Sequence, residues 1–175
     1  ADHLDIYGDE AHIREAFKAF ASQVSGTVIA KYGLDITPAD TKAGILTYSF
    51  GDAGADFHAE AVGTEGRFNL HYPGGVIEDC IVGIPGWVNI ENAVAASAIA
   101  LTYGIEPQKI KEALATFSGV KRRFDLRVRK PGCVYIDDYA HHPEEIGAAL
   151  SSIRKAYPEM KLTAAFQPHL YTRTR

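Results

Sequence analysis

Acids, histidines and arginines gather at two places in this chain. The first is Asp137-Asp138-Tyr139-Ala140-His141-His142-Pro143, and the second is Phe166-Gln167-Pro168-His169-Leu170-Tyr171-Thr172-Arg173-Thr174-Arg175. Asp137 and Asp138 close an apolar run, where a carboxylate could hold Mg²⁺-bound water or a ribose hydroxyl. His141 and His142 stand just before Pro143, at a helix N-terminus that favours anions. Arg173 and Arg175 offer cationic donors to a carboxylate or phosphate. The plainer account is capping by Asp138 and two surface histidines, but two such clusters at neighbouring strand ends weigh against it.

Three smaller constellations precede these. Asp2-His3-Leu4-Asp5, with Tyr7 close behind, could place His3 on a metal beside an orienting carboxylate; a polar loop before a helix capped by Asp9 would look the same. Asn89-x-x-Asn92-Ala93 opens an alanine-rich helix. A carboxamide pairs a donor with an acceptor, which suits the edge of an adenine ring, whereas an N-cap asparagine is the ordinary alternative. Arg122-Arg123-Phe124 could clamp phosphate oxygens in bidentate fashion, or simply form a solvated basic face.

The elements that must position these residues follow from periodicity. Cys133–Ile136 and Leu162–Phe166 read as buried strands, with a helix from Pro143 to about Tyr157 between them. That is a βαβ unit, and in parallel α/β sheets ligands sit outside the carboxyl ends of the strands. Upstream, Ile13, Phe17, Phe20, Ala21 and Val24 form a helix-spaced stripe over residues 9 to 24. Strands are expected at Thr27–Ala30, 44–50, Phe57–Val62 and Phe68–Tyr72. A turn is expected at Gly74-Gly75 and a further strand from Cys80. The middle strands read as an antiparallel patch added to an α/β core. The helix over residues 89 to 103 carries almost no charge and should be buried on most sides, with Gly104 just past its end. Pro107 starts another helix, which runs to about Phe117. The basic Lys121-Arg122-Arg123 follows Ser118-Gly119, so the domain boundary is expected between residues 117 and 118.

Composition narrows the class. With 175 residues, 46% of them apolar, the chain can bury one ordinary core or two small ones. A net charge of −4 gives no general pull toward nucleic acid or membrane. No run of about 18 apolar residues and no signal-peptide pattern occurs, so a soluble cytoplasmic protein is expected. Cys80 and Cys133 lie in apolar runs without C-x-x-C spacing and are expected to be reduced core thiols. The chain opens without a start residue and stops straight after an expected strand, which reads as a piece of a longer protein.

Together these motifs, in this order, resemble the Mur ligases: Asp137-Asp138-Tyr139-Ala140-His141-His142-Pro143, Phe166-Gln167-Pro168-His169 with Tyr171-Thr172-Arg173-Thr174-Arg175, Arg122-Arg123-Phe124-Asp125, Asn89-x-x-Asn92-Ala93 and Asp2-His3-Leu4-Asp5. The resemblance covers essentially the whole chain. It implies an α/β fold in two pieces. Residues 1–117 would be the later part of a central, P-loop-type ATPase domain with an antiparallel strand patch. Residues 118–175 would be the first part of a Rossmann-like C-terminal domain. The activity implied is that of an ATP- and Mg²⁺-dependent ligase, closest to the branch that joins L-alanine to UDP-N-acetylmuramate through an acyl phosphate in peptidoglycan precursor synthesis.

Position by position, the resemblance assigns His3 to Mg²⁺, Asn89 and Asn92 to adenine, and Arg123 and Asp138 to the ATP phosphates and ribose. Tyr139, His141, His169 and Arg173 would line the wall that receives the amino acid and the muramoyl substrate. Three positions depart from the family pattern: Val88 where histidine is usual, Leu170 where arginine is usual, and Ala140 where glycine is common. No Gly-x-x-Gly-Lys-Thr/Ser loop occurs in these residues, so they are expected to be inactive alone. Three other readings compete: a ligase that recycles murein tripeptide, a metal-dependent hydrolase built on Asp137, Asp138, His141, His142 and His169, and a non-catalytic nucleotide-binding module. The oligomeric state is not legible in the sequence.

Overall fold

The computed structural model describes residues 4–63 and 66–168. After a single helical turn, α1 (Leu4–Tyr7), helix α2 spans Glu10–Ser22. Asp9 caps it as expected, its carboxylate accepting the His12 backbone N–H at 2.9 Å. Of its apolar stripe only Ala21 is buried, while Phe17 and Phe20 are 61% and 69% exposed.

A five-stranded sheet follows in chain order: β1 (Thr27–Lys31), β2 (Gly44–Phe50), β3 (Phe57–Val62), β4 (Arg67–Tyr72) and β5 (Gly75–Ile81). The first three strands run parallel and the last two antiparallel. The antiparallel patch is therefore continuous with the parallel part. β5 begins at Gly75, not at Cys80. The turn falls on Pro73-Gly74, and Tyr72 pairs directly with Gly75, so the ladder starts as soon as the chain has reversed.

Helix α3 (Trp87–Thr102) packs on β1, β2 and β3, and α4 (Pro107–Thr116) packs on β5. The core lies between them: Phe57, Ala59, Phe68, Leu70, Ile77 and Cys80 from the sheet, with Ile90, Val94, Ala98 and Ile110 from the helices. Gly104, at φ +77°, ends α3 in the left-handed conformation expected of it. α3 is less enclosed than its composition suggests. Asn92 and Ala96 are exposed because that side of the helix borders an open cleft.

Gly83, in the link from β5 to α3, packs against the end of α4. Its N–H donates to the Leu114 carbonyl at 3.0 Å, and a Cβ there would lie 2.3 Å from the Phe117 carbonyl oxygen. Only glycine allows that approach.

The second unit is a hairpin, β6 (Asp125–Lys130) with β7 (Cys133–Asp137), followed by α5 (Pro143–Ala156). The expected βαβ unit is not completed among the described residues. Residues 162–166 form no strand, and Phe166 is 51% exposed. β7 pairs with β6 on one edge, and residues 162–166 stand off from β7 and α5 across a cavity of about 500 Å³ that all three line, so they join no ladder. Cys133 is exposed at the start of β7 rather than buried in a core, while Cys80 is buried.

Candidate active site between the sheet body and the second unit

A cleft of about 900 Å³ opens between the exposed side of α3, the face of α4, the 117–124 connection and α5. Its size is in the range of small-molecule sites, roughly 300–1,000 Å³. Most of the wall is aliphatic, from Val82, Ile84, Ala93, Ala96, Ile110 and Leu114. Polar groups enter from both sides: Asn89 and Asn92 from α3, and Arg123, Asp138, Glu144 and Glu145 from the second unit. The family resemblance assigns these asparagines, Arg123 and Asp138 to one nucleotide, and in the fold they line one cleft.

Asn89 is not the N-cap of α3. That position is Gly86, at φ +109°. Asn89 lies in the first helical turn, where its Nδ2 donates to the Pro85 carbonyl at 2.6 Å, leaving its amide oxygen directed elsewhere. Among the described residues the Asn92 carboxamide makes no hydrogen bond, so it retains both a donor and an acceptor. Gly86 also sets the approach of α5: a Cβ at Gly86 would meet Ser152 at 3.5 Å, and Ser152 is buried.

On the other side the chain is held by hydrogen bonds around two strained residues. Arg122 and Phe124 have φ of +61° and +49°, a left-handed conformation that costs a non-glycine residue about 1–2 kcal/mol. Asp138 pins this turn. Its Oδ2 accepts the Phe124 N–H and its Oδ1 accepts the Ala140 N–H, both at 2.7 Å. The Tyr139 N–H donates to the Arg122 carbonyl at 2.8 Å, and the Arg122 N–H donates to Asp125 Oδ2 at 3.2 Å. Phe124 is buried. Asp138 thus does the structural work of the plainer reading while also lining the cleft.

Tyr139 lies beneath both arginines, with its ring centre 4.8 Å from the Arg122 guanidinium carbon and 5.7 Å from that of Arg123. These are cation–π distances. His141 tilts against the Tyr139 ring at 5.2 Å, and its Nδ1 is 3.0 Å from the Tyr139 carbonyl, so Nδ1 carries the proton for that contact. His142 is the N-cap of α5: its Nδ1 accepts the Glu144 N–H at 3.4 Å. The two histidines therefore face different partners.

Glu145 was not singled out in the sequence, although it organises this corner. It completes a capping box with His142. Its Oε2 accepts the His141 N–H at 3.2 Å and the His142 N–H at 3.4 Å, and its Oε1 lies 3.9 Å from the Arg123 guanidinium. Burial pushes the Glu145 carboxyl upward, but the two N–H donors and the nearby charges of His141 and Arg123 outweigh it and hold the group below its ordinary value. The signal was present as a glutamate three residues after a helix cap, but histidine is not a usual capping residue.

His3, His169 and Arg173 lie outside the described residues, as do Tyr171 and Arg175. Among the described residues no group of three His, Cys, Asp or Glu side chains is placed to hold a metal ion. The four described members of the hydrolase reading, Asp137, Asp138, His141 and His142, do not form such a group, and its fifth member, His169, lies outside the described residues. Asp138 is engaged with backbone N–H groups, and Asp137 pairs with Asp125 in the hairpin ladder. Mg²⁺ has a less demanding requirement, since it takes one or two carboxylates and completes its shell with water and phosphate oxygens.

Comparison with known proteins identifies the scaffold. Residues 1–100 match the Mur ligase middle domain, and residues 122–175 match the Mur ligase glutamate ligase domain. The chain belongs to the Mur ligase family. It is 42% identical to UDP-N-acetylmuramate–L-alanine ligase of Phocaeicola vulgatus, over 99% of this chain and 39% of that protein. It is 44% identical to the enzyme of the same name from Flavobacterium psychrophilum, over 100% of this chain and 38% of that protein. Among solved structures, UDP-N-acetylmuramate-alanine ligase from Thermotoga maritima superposes with a TM-score of 0.75 at 27% identity, covering 96% of this chain and 39% of that one. This Mur ligase chain thus spans about two fifths of the length of these relatives. No helix among its described residues is long and apolar enough to cross a membrane.

Proposed function

We propose that this chain forms the adenine-facing and C-terminal walls of an ATP-dependent ligase that joins L-alanine to UDP-N-acetylmuramate, in the cytoplasmic supply of peptidoglycan precursors. The observation that carries this reading is the shared cleft. Two carboxamides from α3 and the Arg123 guanidinium from the second unit line one space of nucleotide size. The relatives named above bear the name of this ligase, which favours L-alanine over a murein tripeptide as the incoming amine.

The chemistry is phosphorylation of the muramoyl carboxylate by ATP, followed by attack of the L-alanine amine with loss of phosphate. Catalysis of such a transfer is mostly positioning and neutralisation of charge. Asn92 offers its donor and acceptor to the edge of the purine, and Asn89 offers its amide oxygen. Arg123, steadied by Tyr139 and Glu145, brings positive charge to the phosphates. Asp138 faces the ribose end while its carboxylate keeps the Arg123 turn in place. Tyr139 and His141, with His169 and Arg173, form the wall toward the amino acid and the muramoyl group. His3 would be among the residues that hold Mg²⁺, which would supply further charge neutralisation at the phosphates. The domain boundary falls between residues 117 and 118, in the stretch that neither family match covers.

The test is a chimera in which these residues replace the matching part of the Phocaeicola vulgatus ligase. With ATP, Mg²⁺ and UDP-N-acetylmuramate, it should release phosphate only when L-alanine is added, and Arg123→Ala should lower that rate at least about a hundredfold, as loss of a charge that stabilises the transferring group does. The 175 residues alone, which contain no Gly-x-x-Gly-Lys-Thr/Ser loop, should give no product. A folded chimera that prefers a murein tripeptide to L-alanine would overturn the choice of substrate.

A further inference from the structure

We propose that Trp87 is the aromatic wall of the nucleotide cleft, the surface against which the purine ring lies while Asn89 and Asn92 meet its edge. This rests on the nucleotide reading above and adds a residue to it. Trp87 is the only tryptophan in the chain. It is the first residue of α3 and lines the same cleft as the two asparagines, Arg123 and Asp138.

The position is fixed by the backbone before it. Gly86 sits at φ +109°, a conformation that side-chain-bearing residues rarely adopt, and the helix begins at the next residue. The Asn89 side chain ties back to the Pro85 carbonyl at 2.6 Å, so the turn that presents Trp87 is braced from within the helix. Ser152 of α5 approaches Gly86 from the far side, which keeps the second unit close to this end of α3. The indole therefore lines the cleft at the end of α3 that the second unit approaches.

Its chemistry is unspent. Half-buried indoles commonly find a partner for the ring N–H. Among the described residues Trp87 has no hydrogen-bond acceptor, no aromatic neighbour and no cation over its face. The remainder of the wall near it is aliphatic, with Val88, Ile84 and Ala93, and the two carboxamides stand on the same helix. Phe117 and Phe124 line the cleft as well, but they come from the 117–124 connection, whereas Trp87 stands on the same helix as the two carboxamides. An indole without a partner beside an unpaired carboxamide suits a flat heteroaromatic ring with hydrogen-bonding edges. A purine has that form. Stacking of this kind tolerates different bases, whereas edge contacts distinguish them. Trp87 should therefore supply affinity for any purine, and Asn92 the preference for adenine.

The experiment measures binding and the tryptophan signal together. ATP and adenosine are titrated into the 175-residue chain while the heat of binding and the Trp87 emission are followed, and the titration is repeated with Trp87→Ala and Trp87→Phe. Far-ultraviolet circular dichroism checks that each variant is folded. The expected result is quenching of the emission in parallel with the heat, a loss of affinity of about tenfold or more in Trp87→Ala, and retention of most affinity in Trp87→Phe. If the heat is present but the emission does not change, and Trp87→Ala binds as the parent does, the inference is wrong while the nucleotide reading stands. If neither the 175-residue chain nor the chimera described above binds ATP or adenosine at millimolar concentration, the nucleotide reading fails and the inference with it.

Discussion

The sheet body and the second unit are held together by different forces. In the body, Phe68, Leu70, Ala59, Val94 and Cys80 are fully buried between five strands and two helices. Among the described residues of the unit that contains β6, β7 and α5, the only buried ones are Phe124 and Ser152. Its order comes from polar contacts: Asp138 on two backbone N–H groups, Glu145 on two more, and Asp125 on one. Apolar burial is indifferent to direction, whereas hydrogen bonds fix it. The body thus gives a stable wall, and the second unit gives accurately aimed charge. The cleft lies where the two meet.

That contrast can be broken from either side. The largest effect is expected in the body. Phe68→Ala empties a fully enclosed site and should lower stability by about 3–5 kcal/mol, seen as a fall in the urea midpoint of the main unfolding transition. Gly83→Ala should come next. Its new methyl would meet the Phe117 carbonyl at 2.3 Å, and overpacking of this sort costs about 1–3 kcal/mol. A midpoint equal to that of the parent would show that the α4 end yields freely.

In the second unit, Asp138→Ala leaves the Phe124 and Ala140 N–H groups without their acceptor, at a cost of about 1–3 kcal/mol that falls locally. Amide exchange at Phe124 and Ala140 should accelerate while that of Phe68 and Val94 stays slow. Equal acceleration in both regions would mean that the two are one cooperative unit.

The smallest effect concerns acid. The folded Glu145 carboxyl titrates below its unfolded value, so its contribution is fully present above the unfolded value and is lost as pH falls through the folded one. Between neutral pH and the onset of that titration, Glu145→Gln should shift the stability of the α5 N-terminus without altering its slope with pH. Below it, the parent and the variant should converge, as followed by proton-resolved titration of the His141 and His142 amides.

Much of the body was legible in the sequence because its signals are local. Asp9 before an apolar stripe, Pro107 at a helix start and Gly104 at a helix end each act within one turn of chain, and the alternation in residues 57–62 and 68–72 reports one buried face. Asn92, Arg123 and Asp138, which the family resemblance assigned to one nucleotide, line one cleft. What failed depended on distant partners. Residues 162–166 have strand composition, but no ladder accepts them. Cys133 lies in an apolar run that the hairpin leaves exposed. The left-handed Arg122 and Phe124 were invisible for the same reason, since two of the partners that hold that turn, the Asp138 carboxylate on the Phe124 N–H and the Tyr139 N–H on the Arg122 carbonyl, lie well downstream in the chain. Glu145 was missed because its importance comes from what it joins.

Hydrogen exchange with and without ATP and Mg²⁺ tests most directly whether the body and the second unit form one nucleotide site. Protection should appear together in the first turns of α3, around Asn89 and Asn92, and in the Arg123 and Tyr139–Glu145 segments, with the β3–β4 core unchanged. Protection confined to one of the two regions, or spread evenly through the whole chain, would contradict a shared cleft.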